Sequence, residues 1–141
     1  MGLRDKLVTD AAMEEGGNWF DVLDTGVSFL CRRFHAGNKA AARAYREEMG
    51  KLQAKIDAEV VEPEELRAAM ARVWARHIVL DWEGVTAYDL DPEAAEEPVP
   101  FSSEACEKLF AAIPDVLEVI TVESSKRENY LASLRKRQAG N

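Results

Sequence analysis

The sequence predicts a mainly α-helical protein with a small N-terminal β-hairpin, an α+β fold built as a compact helical domain of about four helices. First, apolar residues recur every three or four positions through most of the chain after Asn38, the spacing of amphipathic helices. Second, aromatic and β-branched residues flank Asp24-Thr25-Gly26, a turn signal. Third, Pro63 and Pro114 stand where two helices would begin. A chain of 141 residues is long enough to bury one core.

The N-terminal part of the chain divides into a charged segment and the predicted hairpin. Residues 1–17 are expected to be a flexible segment, because they are short and charged and end at Gly16-Gly17. Residues 18–137 are expected to form a single helical domain that starts with the hairpin, and residues 138–141 a disordered tail. A lone hairpin is only marginally stable, so we expect it to pack on the helices.

Four helices are predicted in the remainder of the chain, and each has a start signal. Asn38 is a plausible N-cap, Pro63 fits the first helical position, and Ser102 or Ser103 can cap the third helix, which Pro114 ends. In chain order the helices are expected at about 39–59, 63–80, 103–113 and 115–136.

The connector between the second and third helices is acidic and has an aromatic residue at each end, Trp82 and Phe101. Pro98 and Pro100 hold φ at about −65° and donate no backbone hydrogen bond, so this part is neither helix nor central strand. We interpret the two aromatic residues as apolar anchors at the ends of a solvated acidic loop.

The net charge and its distribution argue against two kinds of binding. The net charge is −8, which argues against generic binding to nucleic acid or to an anionic membrane. Residues 83–123 hold eleven acidic residues and one basic residue, whereas the end of the chain is basic. This asymmetry favours a protein partner of complementary charge or self-association, or it is simply solvated surface. Cys31 and Cys106, without a C-x-x-C motif, are expected to be buried, reduced thiols.

No motif indicates catalysis or a bound cofactor, and the protein is expected not to be an enzyme. Asp24-Thr25-Gly26 matches the short signature of aspartic proteases, but that fold is almost all β, so a hairpin turn explains it better. His35 and His77 have no repeating ligand pattern. Residues 89–93 resemble the start of a calcium loop but lack its sixth-position glycine, which here is Ala94. We therefore expect no metal and no cofactor.

The layout of the chain resembles the tail assembly chaperones of long-tailed bacteriophages and of phage-like gene transfer agents. The resemblance covers roughly residues 17–133. It rests on an early strand pair, on the Trp82-Glu83-Gly84-Val85 segment and on the Pro100–Pro114 segment. In the last of these, a proline, an apolar residue, serine and glutamate precede the apolar positions of a helix that ends at a second proline. The acidic spacer at 87–97 departs from the pattern, because a shorter turn that contains glycine would be more usual there.

The resemblance implies a function in virus assembly. Such a protein binds the long helical tape-measure protein, keeps it soluble and assists the recruitment of tail-tube subunits, so the tape-measure protein is the expected partner and the tail-tube protein a second candidate. It would act in the cytoplasm of a bacterial host and be absent from the mature virion, and homo-oligomer formation stays open. The candidate contact residues are the apolar ones of the connector and the last helices: Trp82, Phe101, Leu109, Phe110, Val116, Leu117, Ile120 and Tyr130.

Three other functions stay open at this point. One is a structural head–tail connector or tail-completion protein that remains in the virion. Another is a hydrolase that uses Asp24. The third is a host-directed regulator that mimics nucleic acid through its acidic segment, although a charge of −10 spread over a loop and two helices is weak mimicry.

Overall fold

A computed structural model describes residues 2–139, and it confirms the mainly helical α+β fold. Four long helices correspond to the predicted ones, and short elements precede, separate and follow them. The helices are α1 Leu3–Leu7, α2 Ala11–Gly16, α3 Lys39–Asp57, α4 Pro63–His77, α5 Ala87–Leu90, α6 Ser103–Ala112, α7 Pro114–Ser125 and α8 Ala132–Ala139. The strands are β1 Asn18–Asp21, β2 Ser28–Cys31 and β3 Val79–Glu83, and a 3₁₀ turn spans Arg127–Tyr130.

The predicted hairpin is confirmed, and a third strand extends it. Strands β1 and β2 pair in an antiparallel register that places Phe20 opposite Phe29. Strand β3 pairs antiparallel with the other edge of β2, with Trp82 opposite Phe29 and a bulge at Leu30/Cys31. The Asp24-Thr25-Gly26 turn is closed by the Thr25 Oγ1 hydroxyl, which donates to the Val22 carbonyl at 2.6 Å. The central strand β2 therefore carries its aromatic residue at the middle of the sheet.

Helices α3 and α4 form an antiparallel helical hairpin. Asn38 caps α3 by accepting a hydrogen bond from the Ala41 amide, and α4 begins at Pro63. Two ion pairs join the helices, Glu48–Arg72 at 2.6 Å and Lys55–Glu65 at 3.0 Å. The later residue of α3 pairs with the earlier residue of α4, as expected for antiparallel helices. The α4 side of this hairpin packs against α6, which brings the helices onto the sheet.

The second predicted helix ends earlier than the sequence indicates, at His77 rather than near Leu80. The residues that follow form β3, in which Val79 and Trp82 are buried and Glu83 is exposed. Hydrogen bonding to β2 decides this outcome, because tertiary pairing can override the weak local preference of a short apolar run.

The predicted helix at about 115–136 is divided into α7, the 3₁₀ turn and α8. Near the end of α7, the Ser124 and Ser125 hydroxyls donate back to the carbonyls of Ile120 and Thr121, at 2.6 and 2.7 Å. The side-chain amide of Asn129 then donates to the Glu123 carbonyl, which satisfies one of the free acceptors at the helix end. The break lets the Tyr130 side chain turn into the core.

The N-terminal segment that was expected to be flexible contains α1 and α2 and is docked on the C-terminal part of the chain. Asp10 caps α2 through the Met13 amide at 2.8 Å, and the Met13 side chain is buried. Thr9 forms an isolated antiparallel bridge with Leu131, and the Asp10 amide donates to the Tyr130 carbonyl. At the other terminus, residues 138 and 139 end α8, and residues 140–141 of the predicted tail lie outside the described residues.

The acidic connector is held by hydrogen bonds at both ends. Helix α5 has a capping box in which the Asp89 carboxylate accepts from the Thr86 amide at 2.8 Å. The Val99 amide donates to the Val85 carbonyl, and the Ala87 amide donates to the Glu97 carbonyl. Trp82 also fixes the connector, because its indole N–H donates to the Val99 carbonyl at 2.8 Å.

The core lies between the sheet and helices α4, α6 and α7. The Phe29 ring sits at its centre, 5.9 Å from the Trp82 ring centroid and 6.2 Å from that of Phe110. Cys31 and Cys106 are fully buried, and burial raises the pKa of both thiols. They therefore stay protonated and act as small apolar core residues.

Candidate functional site

An apolar pocket opens between the tip of the β-hairpin and the junction of α6 and α7, with a volume of about 270 Å³. Its wall is almost entirely side-chain carbon. The residues that line it are Val22, Leu23, Thr25, Val27, Phe29, Val85, Leu109, Ile113, Val116 and Val119, together with Asp89 and Asp115.

Two elements that are distant in sequence make the opposite walls of this pocket. The hairpin supplies Val22 and Val27 on either side of its turn, where the Val22 amide donates to the Val27 carbonyl at 2.8 Å. The helical wall comes from Val116 and Val119, which lie three residues apart and so on one face of α7. Phe29 is buried at the base of the pocket.

The mouth of the pocket carries two exposed apolar side chains. Leu23 is 73% exposed and Ile113 is 38% exposed, and both line the pocket. Leu23 also has a φ of 51°, a left-handed backbone conformation that is uncommon for residues other than Gly, Asn and Asp. A large apolar residue that is both exposed and strained contributes little to the stability of the free protein.

A glycine fixes the position of the hairpin tip beside the pocket. Gly84 follows β3 with a φ of 86°, and a Cβ atom at this position would collide with the carbonyl oxygen of Gly26 in the turn. The close approach holds the turn against the chain that leads to Val85, a buried residue of the pocket. The pocket is therefore formed by the packing of the free chain itself.

Two carboxylates line the pocket, and a third belongs to the turn between two of the lining residues. Asp89 and Asp115 line it, and Asp24 stands in the turn between Leu23 and Thr25. None of these three forms an ion pair with another side chain among residues 2–139, and none of the lining residues is basic. The Asp89 carboxylate is held in place by the Thr86 amide and hydroxyl, at 2.8 and 3.2 Å. The site is thus an apolar depression with an acidic rim.

Most of the contact residues predicted from the sequence are in the core. The structure buries six of the eight, with exposed fractions of 5% or less: Trp82, Leu109, Phe110, Leu117, Ile120 and Tyr130. Phe101 and Val116 are partly exposed. The apolar faces of α6 and α7 have a partner within the chain, because both helices pack against α4 and each other, and Phe110 also stacks on Phe29 of the sheet. Only Leu109 and Val116 of the eight line the pocket.

The hairpin wall of the pocket is not predicted from the sequence. Val22, Leu23, Val27 and Phe29 belong to the predicted hairpin, whose pattern indicates strands and a turn but no role in binding. The available signal was Leu23, an apolar residue inside a polar turn, where a solvated residue is usual. Phe101, in contrast, packs edge-on against the Trp82 ring at a centroid distance of 5.3 Å, so the two ends of the acidic connector meet.

The other candidate residues are not among those that line the pocket. Asp24 is exposed in the hairpin turn, in agreement with the structural interpretation of the Asp-Thr-Gly sequence. His35 lies 3.8 Å from the Glu14 carboxylate, and His77 is partly exposed at the end of α4. No group of three or more His, Cys, Asp or Glu side chains within the described range is placed to hold a metal ion. Within residues 2–139, no helix combines the length and the apolar character that crossing a membrane requires.

Comparison with known proteins gives one finding. The model of a family described as YdaY prophage protein matches residues 36–141, more than half of the chain. The matched region begins before α3 and contains the helical wall of the pocket, whereas the hairpin wall precedes it. No curated protein and no solved structure matches the chain.

Proposed function

The chain belongs to the YdaY prophage protein family, and from this premise we propose that it is a non-catalytic tail assembly chaperone of a long-tailed phage. In this role it binds the tape-measure protein in the host cytoplasm and keeps it soluble. It then assists the recruitment of tail-tube subunits and is absent from the mature virion. The prophage family supports a phage-related function in general, and the resemblance of the Trp82–Pro114 region to tail assembly chaperones supports this particular one.

The observation that carries the proposal is the apolar pocket with Leu23 and Ile113 exposed at its mouth. A long helical client exposes an apolar stripe before it is packed into a tail, and such a stripe aggregates unless an apolar surface covers it. Grooves that accept the apolar face of a helix are a recurrent mode of peptide recognition. A pocket that is formed in the free protein can accept such a face without a large ordering cost.

The charge of the protein also supports a chaperone. A net charge of −8 favours solubility, and it would keep a complex with an apolar client soluble as well. The binding is proposed to need no cofactor and no metal, since burial of apolar surface supplies the free energy.

The test is co-expression of this chain with the tape-measure protein encoded in the same prophage, followed by size-exclusion chromatography with mass measurement. The expected result is a soluble tape-measure protein that co-elutes with several copies of this chain. A tape-measure protein that stays insoluble at the same expression level, while this chain elutes alone, would contradict the proposal.

A structural head–tail connector or tail-completion protein is the alternative. The same pocket can receive a segment of a neighbouring virion protein, so the geometry does not separate the two functions. Mass spectrometry of purified virions does, because a connector is retained in the particle in stoichiometric amounts and a chaperone is lost.

A further inference from the structure

We propose that the pocket accepts a large apolar side chain from an amphipathic helix that carries Lys or Arg one turn before and after that residue. The occupant is thus a basic amphipathic helix. The inference rests on the proposed function only for the source of the helix, the tape-measure protein. The chemistry of the occupant follows from the pocket itself.

The shape and the lining favour a single apolar anchor. The pocket is closed at its base by Phe29 and Leu109, and its volume of about 270 Å³ suits one large side chain or two smaller ones. Leu23 and Ile113 stand at the mouth, where they can contact the neighbouring apolar residues of the same ligand face. Binding would cover both side chains and remove the solvent exposure that the free protein shows.

The lining also favours a helix over an extended segment. An added strand needs a row of unpaired backbone donors and acceptors on the receiving protein. Here the pocket surface comes from side chains of the hairpin tip and of α7, so it offers carbon atoms and little else. A helix satisfies its own backbone hydrogen bonds and brings only its apolar stripe to the surface.

The rim decides the charge of the helix. Asp89 and Asp115 line the pocket, and Asp24 stands in the turn between two lining residues, Leu23 and Thr25. None of the three has an ion-pair partner among the described residues, and the lining contains no basic side chain. A ligand that places acidic residues beside its anchor would meet like charges, which oppose binding. Lys or Arg three or four positions from the anchor reaches the rim, because such positions share one helix face. Partly exposed ion pairs add little affinity but set orientation and salt dependence.

Two labelled synthetic peptides of about 18 residues, or five helical turns, make the test direct. They share one apolar stripe and differ only in their flanking residues, Lys in one peptide and Glu in the other. Fluorescence anisotropy measures their binding to the full chain at about 50 mM and about 500 mM salt. The Lys peptide is expected to bind at least about tenfold more tightly at low salt, and the difference should shrink at high salt. Equal binding of the two peptides at low salt would overturn the inference.

Variants at two positions of α7 locate the binding site. Val119→Phe fills the pocket, and Val119→Lys places an ammonium group where it can pair with Asp115 four residues before it. Each should weaken binding of the Lys peptide by roughly tenfold, the scale of a lost hot spot. Val122→Phe and Val122→Lys are the matched controls, since Val122 is 50% exposed on the same helix and does not line the pocket. If the Val119 variants fold, as circular dichroism would show, and bind as the wild type does, the pocket is not the site.

The rim has its own pair of variants with equal change of charge. Asp24→Asn with Asp115→Asn should weaken binding of the Lys peptide about three- to tenfold and flatten its salt dependence. The control is the double variant Glu47→Gln with Glu59→Gln, which removes the same charge from α3 and from the turn after it, away from the pocket. It should leave the affinity for the Lys peptide and its salt dependence unchanged. If both double variants behave alike, net charge and not the rim determines the preference, and the inference fails.

Co-expression separates this inference from the proposed function. If the tape-measure protein co-elutes equally with the wild type and with the Val119 variants, the chaperone function stands and the pocket inference falls. If the Lys peptide binds in the pocket but the tape-measure protein does not co-elute, the pocket inference stands and the chaperone function falls.

Discussion

Gly84 allows the hairpin turn to approach the end of β3 closely. Its φ of 86° lies in the left-handed region, and the space where a Cβ atom would stand is already filled by the carbonyl of Gly26. Gly26 also has a positive φ, of 81°, but nothing lies within 4 Å of its own missing Cβ position. Both glycines therefore need a positive φ, but only Gly84 stands where a side chain would have no room.

This difference gives a prediction at the residue scale. Gly84→Ala is expected to lower the free energy of unfolding by about 2–4 kcal/mol, the sum of left-handed strain and a backbone collision. Gly26→Ala, as the matched variant, should cost only about 1–2 kcal/mol because it adds the strain alone. Urea unfolding monitored by tryptophan fluorescence measures both. Equal costs at the two positions would mean that the turn moves away freely from β3.

A second residue-scale prediction concerns Ser124, a fully buried polar residue. Its hydroxyl accepts a hydrogen bond from the Trp74 indole N–H at 2.8 Å and donates to the Ile120 carbonyl at 2.6 Å. Ser124→Ala leaves the indole N–H unpaired in the core, at an expected cost of about 1–3 kcal/mol in the free energy of unfolding. Ser125→Ala removes an exposed hydroxyl from the next residue and should change stability by less than about 0.5 kcal/mol. A Ser124→Ala protein as stable as wild type would contradict this account.

At the scale of elements, local signals determined what the sequence could predict. The hairpin turn, the Asn38 and Ser102 caps, and the prolines that begin α4 and α7 act within a few residues, and the structure has each of them where the sequence indicates. Strand β3 has no such signal, because its short apolar run continues the preceding helix and becomes a strand only through pairing with β2.

The candidate site, too, could be predicted only where its residues lie in elements with local sequence signals. Val116 and Leu109 could be identified as apolar residues of predicted helices, but their place beside the hairpin could not. The pocket joins residues that are about ninety positions apart in sequence. Long-range packing also determines that Ile120 and Tyr130 are core residues. An apolar helix face does not by itself indicate whether it packs within the chain or against another molecule.

The end of α3 supplies a prediction at this scale. The Glu59 and Val60 amides donate to the carbonyls of Ile56 and Lys55, the pattern of a Schellman motif, and Glu59 has a φ of 58°. Glycine is the residue that this position favours. Glu59→Gly is therefore expected to raise the free energy of unfolding by about 0.5–1 kcal/mol, since relief of strain exceeds the added entropy of the unfolded chain. Glu59→Ala keeps the strain and should give no gain. A loss of stability in Glu59→Gly, measured by thermal unfolding, would contradict this assignment.

At the scale of the whole molecule, ion pairs join segments that are distant in sequence. Arg72 holds Glu48 across the α3–α4 hairpin, and Arg135 of α8 holds Asp10 at the start of α2, at 2.7 Å. The hydrogen bond from Arg72 lowers the pKa of the Glu48 carboxyl below its ordinary value of 4.5. The hydrogen bond from the Met13 amide, followed by that from Arg135, lowers the pKa of Asp10 below 3.8. The two contacts therefore link stability to pH.

A carboxyl group whose pKa is lower in the folded protein than in the unfolded chain stabilises the fold. This stabilisation is complete above the unfolded pKa and is lost as the pH falls through the folded pKa. We expect the urea midpoint of the wild type to be nearly constant from about pH 7 to about pH 5 and to fall below about pH 4.5. Glu48→Gln removes one of the linked groups, so its midpoint should be lower near neutral pH and fall less steeply below about pH 4.5. Glu47→Gln changes the charge equally one residue away, where no ion pair forms among the described residues, and its profile should match the wild type. Parallel profiles for Glu48→Gln and the wild type would show that the Glu48–Arg72 pair does not contribute to acid sensitivity.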